Sequence, residues 1–353
     1  MENIQFSLEK DVNDIFLQKL RKAGFKIPNK LNISGFECYA NMMFRLVEPR
    51  PRTIHLPQKI KIPAEHLRGI NLILKKFKMG ANVNSHQSRH IKNINFLDAF
   101  LQDFGFHHFH LGEKYQSTGK DRDLIVRTGY EIIAKVDVND VYIIGVYKHS
   151  KKENCHLWAK TELLEICYEN WPHLLDAYVV RGVLGNDKEI SEEDRIKLRG
   201  AYINVPIKLK NGVLLFSPGG GFTGNGISIN MRREINKLMN KLYVFKKQIF
   251  ESSIEIPGNS FFKVISFDME HLCLVEDKQR TVILIKEGKN TSHVIKFNFG
   301  HGIIKYMPPL HANLNKTTET ILSLYTISSP HFLSPFPSII NTENKYIDKN
   351  QIP

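Results

Sequence analysis

Residues 106–112 read FHHFHLG, and two apolar runs follow them, DLIVRTGYEIIAKV at 123–136 and VYIIGVYKH at 141–149. β-Branched and aromatic residues fill all three stretches, and Asp137-Val138-Asn139-Asp140 between the last two has the composition of a turn. The block therefore predicts neighbouring strands of an antiparallel sheet. Alternate side chains of a strand share a face. His108 and His110 then project together, with Cα atoms about 7 Å apart by strand rise. His107, Phe109 and Leu111 make an opposite, mainly apolar face expected to pack on the preceding helix. His149 falls at the end of an apolar strand, where it is expected to open onto solvent.

Outward from this block, helical spacing dominates. Leu67, Ile70, Ile73, Leu74 and Phe77 recur at helical intervals over 64–79, with lysines near the end and Gly80 as the stop. A second helix is predicted over 94–103, ending at Gly105, and others over 13–23, 160–170 and 230–250. The ribbon RLVEPRPRTIHLPQKIKIP is held extended by its prolines. It presents Arg50 and Arg52, either to phosphates or simply as a linker crossing the surface. Short alternating strands over 261–306 predict a β-meander, and the Ser-, Pro- and Asn-rich end predicts a mobile tail. The expected class is α+β, with helices packed on an antiparallel sheet and a smaller C-terminal β-rich domain. The expected division is an N-terminal segment with the basic ribbon (1–62), a domain carrying the histidine strand (63–180), a region of loop, strands and basic helix (181–252), a β-meander (253–327) and a tail (328–353).

The 353 residues carry a formal net charge of +13, a surplus whose field attracts polyanions. RNA or another nucleic acid is the expected partner, with a protein regulator as a second. No apolar run approaches the roughly 18 residues that cross a bilayer, and the N-terminus has no secretory pattern. A membrane partner is thus not expected, and a cytoplasmic location is. The four cysteines, Cys38, Cys155, Cys167 and Cys273, lie far apart, unlike a disulfide framework or a zinc ribbon. They read as reduced thiols, three of them in apolar surroundings.

Two imidazoles on one strand face can carry general acid and base chemistry on a phosphodiester, or can ligate a metal. His108, His110 and His149 are the catalytic candidates. The order of elements over 95–155 resembles the RelE and HigB type of small ribonuclease toxin, in which helices precede an antiparallel sheet. RDLIVRTGYEIIAKVDVNDVYIIGVYKHS is similar to their last hairpin. The resemblance implies RNA cleavage without metal, by attack of the 2′-hydroxyl. Under it His108 or His110 and His149 act as acid and base, and Lys120, Arg122, Arg127 and Lys148 bind phosphate. No cofactor is expected on that reading.

Two alternatives stand beside it. The first is a non-catalytic protein that binds nucleic acid or another protein, with the histidines structural. The second is a metallohydrolase built on the H-x-H pair, completed from among His149, Asp121, Asp123, Glu131, His293 and His301, although no H-E-x-x-H string is present. SPGGGFTGNG at 217–226 matches no phosphate-loop pattern and reads as a flexible or close-packed turn. The predicted helix after it carries Arg232 and Arg233 on a basic face suited to a phosphate backbone or to plain solvation.

Overall fold

The structure is a computed structural model that describes residues 5–298, apart from short segments at 29–30, 32, 120, 150–156, 183–189, 225, 252–260, 268–269, 277–280 and 288–291. In chain order the elements are β1 (Gln5–Phe6), α1 (Leu8–Lys22), α2 (Gly35–Arg45), β2 (Thr53–His55), α3 (Leu67–Met79), α4 (Ala99–Phe104), β3 (His107–His110), β4 (Tyr130–Val136) and β5 (Asp140–Lys148). They continue with α5 (Glu162–Asn170), α6 (Glu192–Gly200), β6 (Ile207–Lys208), β7 (Leu214–Leu215), α7 (Ile229–Glu251) and the strands β8 (Phe261–Phe267), β9 (His271–Glu276), β10 (Thr281–Glu287) and β11 (Ser292–Asn298).

The class is α+β. The central sheet has the order β2-β5-β4-β3. Its three-strand core is antiparallel as expected, but β2, taken from the proline ribbon, joins β5 in parallel. The C-terminal strands β8 to β11 form an antiparallel meander, extended at one edge by β1 in parallel with β8. Residues 1–62 contribute to both sheets. α1 packs with α7 on the C-terminal sheet through Leu8, Val12, Phe16, Phe245 and Ile249, whereas β2 belongs to the central one.

Each face of the central sheet buries a different set of helices. Phe109, Leu111, Ile132, Ala134, Val141 and Ile143 meet Ile70, Ile73 and Phe77 of α3. Phe106, Ile133 and Ile144 meet Phe100 and Phe104 of α4 and Leu163, Leu164 and Cys167 of α5. The Phe109 face therefore packs on α3 and not on the helix immediately before it. Gly105, at φ +74°, turns the chain sharply between α4 and β3 and leaves α4 over the Phe106 face.

Two of the boundaries that depart from the sequence reading do so for identifiable reasons. α4 starts only at Ala99, because the Asp98 carboxylate accepts the N–H groups of Phe100 and Leu101 at 3.1 and 3.2 Å. The chain just before it is held by buried Arg45, whose guanidinium donates to the carbonyls of Asn93 and Phe96. β4 starts at Tyr130, since Leu124, Ile125 and Val126 are used in loop contacts. α2 was not anticipated, although Ser34 and Glu37 form a complete capping box at its start. The described thiols of Cys38, Cys167 and Cys273 are free and buried, and burial pushes them up to about 11, 12 and 12. Among the described residues no helix is long and apolar enough to cross a membrane.

The glycine run is a close-packed turn. Gly219 and Gly221 donate their N–H groups to the carbonyls of Asp103 and Gln102 at 2.8 and 2.9 Å, closing off the end of α4. The same junction holds a buried network in which Arg199 pairs with Asp103 and both bond to Ser217. A Cβ on Gly219 would stand 2.3 Å from the Leu101 carbonyl oxygen. Gly219→Ala is therefore expected to cost about 1–3 kcal/mol by overpacking, read as a lowered urea midpoint. An unchanged midpoint would contradict this packing.

Candidate functional site

β4 and β5 do not pair in simple alternation. Ile133 lies opposite Gly145, but the next residue, Ala134, lies opposite Ile143, so Ile144 is an extra residue on β5. Such a bulge switches the faces of everything beyond it. Val141 and Ile143 point to α3, while Tyr147 and the residue after the strand, His149, point to the other side. The His149 N–H donates to the Gly129 carbonyl at 2.7 Å, which continues the pairing past Tyr130 and Lys148.

The same face carries His108 and His110 on β3, and Glu131 on β4 lies directly across from His110 in the register. The ring centroids of His110 and His149 are 5.4 Å apart, and those of His108 and His110 are 6.5 Å apart. The His149 Nε2 lies 3.8 Å from the Glu131 Oε2. One ligand-type atom from each of His110, Glu131 and His149 falls within 4.8 Å of the other two. His110 and Glu131 are buried, at 2% and 7% exposure, whereas the His149 side chain is 43% exposed.

The hydrogen bonding of this group is incomplete. Neither ring nitrogen of His110 has a partner, nor has the Oε2 of Glu131. A buried polar group without a partner costs on the order of 1–3 kcal/mol. Burial, with further contributions from His108, Arg127, His149 and His86, pushes the His110 pKa down to about 3. Its imidazole is thus neutral at physiological pH, and it is poorly suited to shuttle protons there.

Two supports hold the strand in place. Fully buried His86 donates from Nδ1 to the His110 carbonyl at 2.8 Å, and its Nε2 accepts from the Lys76 ammonium at 2.8 Å. Gly112, which closes the histidine motif, allows the Ile125–Val126 segment to pass close by. A Cβ there would stand 1.9 Å from the Val126 carbonyl oxygen. This approach brings exposed Arg127 near enough for its charge to bear on His110.

The remaining sequence candidates separate clearly. His107 lies on the opposite face, stacked on Phe109. Arg127 is exposed and its charge bears on His110, and Arg122 is exposed earlier on the same loop. Lys148 is exposed but alternates to the α3 side, since it pairs with Tyr130. Arg52 is only 8% exposed and donates to the carbonyls of Asp137, Glu48 and Arg50. It ties the β4–β5 turn to the ribbon and is not a phosphate contact. Arg50 stands 3.7 Å from Glu48 at the surface. Arg232 pairs with Glu37 at 2.9 Å and so belongs to the packing of α7 against α2, whereas Arg233 stays exposed and bonds Asn230 within α7.

Of the metal-ligand candidates, Asp121 and Asp123 are both engaged by Lys92. Glu131 is the one that joins His110 and His149. Lys120, His301 and the His293 side chain lie outside the described residues. The register opposite His110 is what singles out Glu131, and Gly145 was the only mark of the bulge in the sequence. No protein-family model, curated protein or solved structure matches this chain.

His86 and His107 are also pushed down by burial, each to about 4. The unfolded chain takes up these protons below about pH 6.5, but the native state does not until near pH 4. Their contribution to stability is therefore complete above pH 6.5 and is lost as the pH falls. Urea midpoints are expected to drop between pH 6.5 and 5, ahead of ordinary carboxylate titration. A flat profile over that window would contradict the burial of these rings.

Proposed function

We propose that this protein cleaves phosphodiester bonds of a nucleic acid, RNA foremost, where His108, His110, Glu131 and His149 share one face of the central sheet. The observation that carries this reading is the convergence of those side chains at a sheet end where His149 is exposed, with Arg127 exposed on the adjoining loop. The net charge of +13 favours a polyanionic substrate by long-range attraction. A cytoplasmic setting accords with the free, buried thiols.

In RNA cleavage the 2′-oxygen forms a bond to phosphorus as the bond from phosphorus to the 5′-oxygen breaks. One proton leaves the 2′-hydroxyl and one arrives on the departing 5′-oxygen, so the step needs no oxidant or reductant. Negative charge gathers on the phosphorane oxygens, and a guanidinium beside them stabilises it. Arg127 is suited to that task. His108 and His149 are the imidazoles through which protons can pass when no metal takes part, since His110 is held neutral within the sheet.

Incubation of the purified full chain with structured and single-stranded RNA is expected to give cleavage. His149→Ala, at an exposed strand end, should lower the rate by about 10²-fold or more while leaving thermal unfolding unchanged. Arg127→Ala should weaken RNA binding and reduce its salt slope by about one. Intact RNA and DNA together with salt-sensitive binding would overturn the catalytic reading and leave a nucleic-acid-binding protein.

A further inference from the structure

We infer that His110, Glu131 and His149 hold a single divalent transition-metal ion of the Zn²⁺ class. The phosphodiester reading bears on what such an ion would do, and the binding itself stands on the donor atoms alone. These are two imidazoles and one carboxylate, drawn from paired positions on β3 and β4 and from the residue just past the end of β5, all on one sheet face.

The first support is the bonding pattern. Several buried side chains leave one atom unpaired, among them Asp103, Arg195 and Arg199, but each of those is bonded through another atom. His110 is different: both of its ring nitrogens are buried without a partner, and the unpaired Glu131 Oε2 belongs to the residue paired with it across the strands. A neutral imidazole presents one lone pair, and an ion would take it together with the carboxylate oxygen. Neighbouring groups do not compete for these atoms. His86 is engaged by Lys76 and the His110 carbonyl, and Asp121 and Asp123 are engaged by Lys92.

The second support is spacing. Ligand atoms about 2.1 Å from a tetrahedral ion lie roughly 3.4 Å from one another. The donor atoms here stand 3.8 Å apart for His149 and Glu131, and all lie within 4.8 Å. A small closure suffices, and His149 can supply it because it sits beyond the end of β5 and is partly exposed. The nitrogen-rich set selects Zn²⁺, Co²⁺, Mn²⁺ or Fe²⁺ over Mg²⁺ and Ca²⁺, which favour oxygen ligands. Three protein ligands leave a coordination position for water or a phosphate oxygen on the exposed side, where His149 meets solvent.

The test uses the full chain, stripped with a chelator, desalted and titrated with Zn²⁺ by calorimetry and with Co²⁺ by visible absorption. One ion per chain is expected, with Co²⁺ bands displaced by Zn²⁺, and no saturable binding of Mg²⁺ or Ca²⁺ at the same concentrations. Glu131→Gln and His149→Ala should each weaken binding by about tenfold or more, with unchanged circular dichroism confirming that both variants fold. Absence of saturable Zn²⁺ binding, or affinity unchanged in both variants, would overturn the inference. Stoichiometric binding beside intact RNA would refute the phosphodiester reading alone. Cleavage that persists in EDTA, in a chain that binds no Zn²⁺, would refute the metal site alone.

Discussion

The extra residue at Ile144 determines what both faces of the central sheet can be. Before it, Val141 and Ile143 are fully buried against α3; beyond it, Tyr147 and His149 look the other way, toward the side of His108, His110 and Glu131. In a regular strand residues 141, 143 and 149 would share a face. Either His149 would then lie over α3, or the two apolar residues would lose their core. Burying a Val or Ile side chain is worth about 1.5–3 kcal/mol, and the α3 core contains many such residues. The register is thus enforced by hydrophobic packing, and the position of His149 follows from it.

The polar side of the sheet end is stabilised from behind. Lys76 and His86 bond in series to the His110 carbonyl, so a helix and a short helical turn fix the backbone of an edge strand at the point where its side chain carries no bond of its own. Elsewhere buried charge is matched with care: Asp103, Arg199 and Ser217 bond one another where α4, α6 and the glycine turn meet. Asp103 and Arg199 still leave one atom each without a partner there, but each is bonded through its other atoms, whereas His110 has a partner at neither ring nitrogen.

Much of this architecture was legible from residue patterns. Helix α3 announces itself by its apolar spacing and Gly80, and the β4–β5 hairpin by its turn composition. His108 and His110 share a face as alternation requires, and the α+β class follows from the order of helical and strand segments. The site was only half legible. Glu131 sits in an apolar run, and nothing local marks it until the register sets it against His110. The bulge is equally hidden, because VYIIGVYKH reads as one apolar strand with Gly145 as its sole irregularity. Arg52 shows the opposite limit: a cation in a basic ribbon looks like a phosphate contact, but its guanidinium caps the carbonyls of a turn. Composition gives the charge, and only packing shows which cations remain available to a ligand.

The question that decides among these readings is whether His110 is retained for what it binds or for what it stabilises. Urea unfolding of His110→Leu beside the parent chain, both in EDTA at neutral pH, answers it directly. Removing two unpartnered buried nitrogens and substituting an apolar side chain of similar size is expected to leave stability equal or raise it by up to about 2 kcal/mol. A loss of about 2 kcal/mol or more would mean that the ring is a well-satisfied structural element, and would contradict the assignment of this sheet end as a functional site.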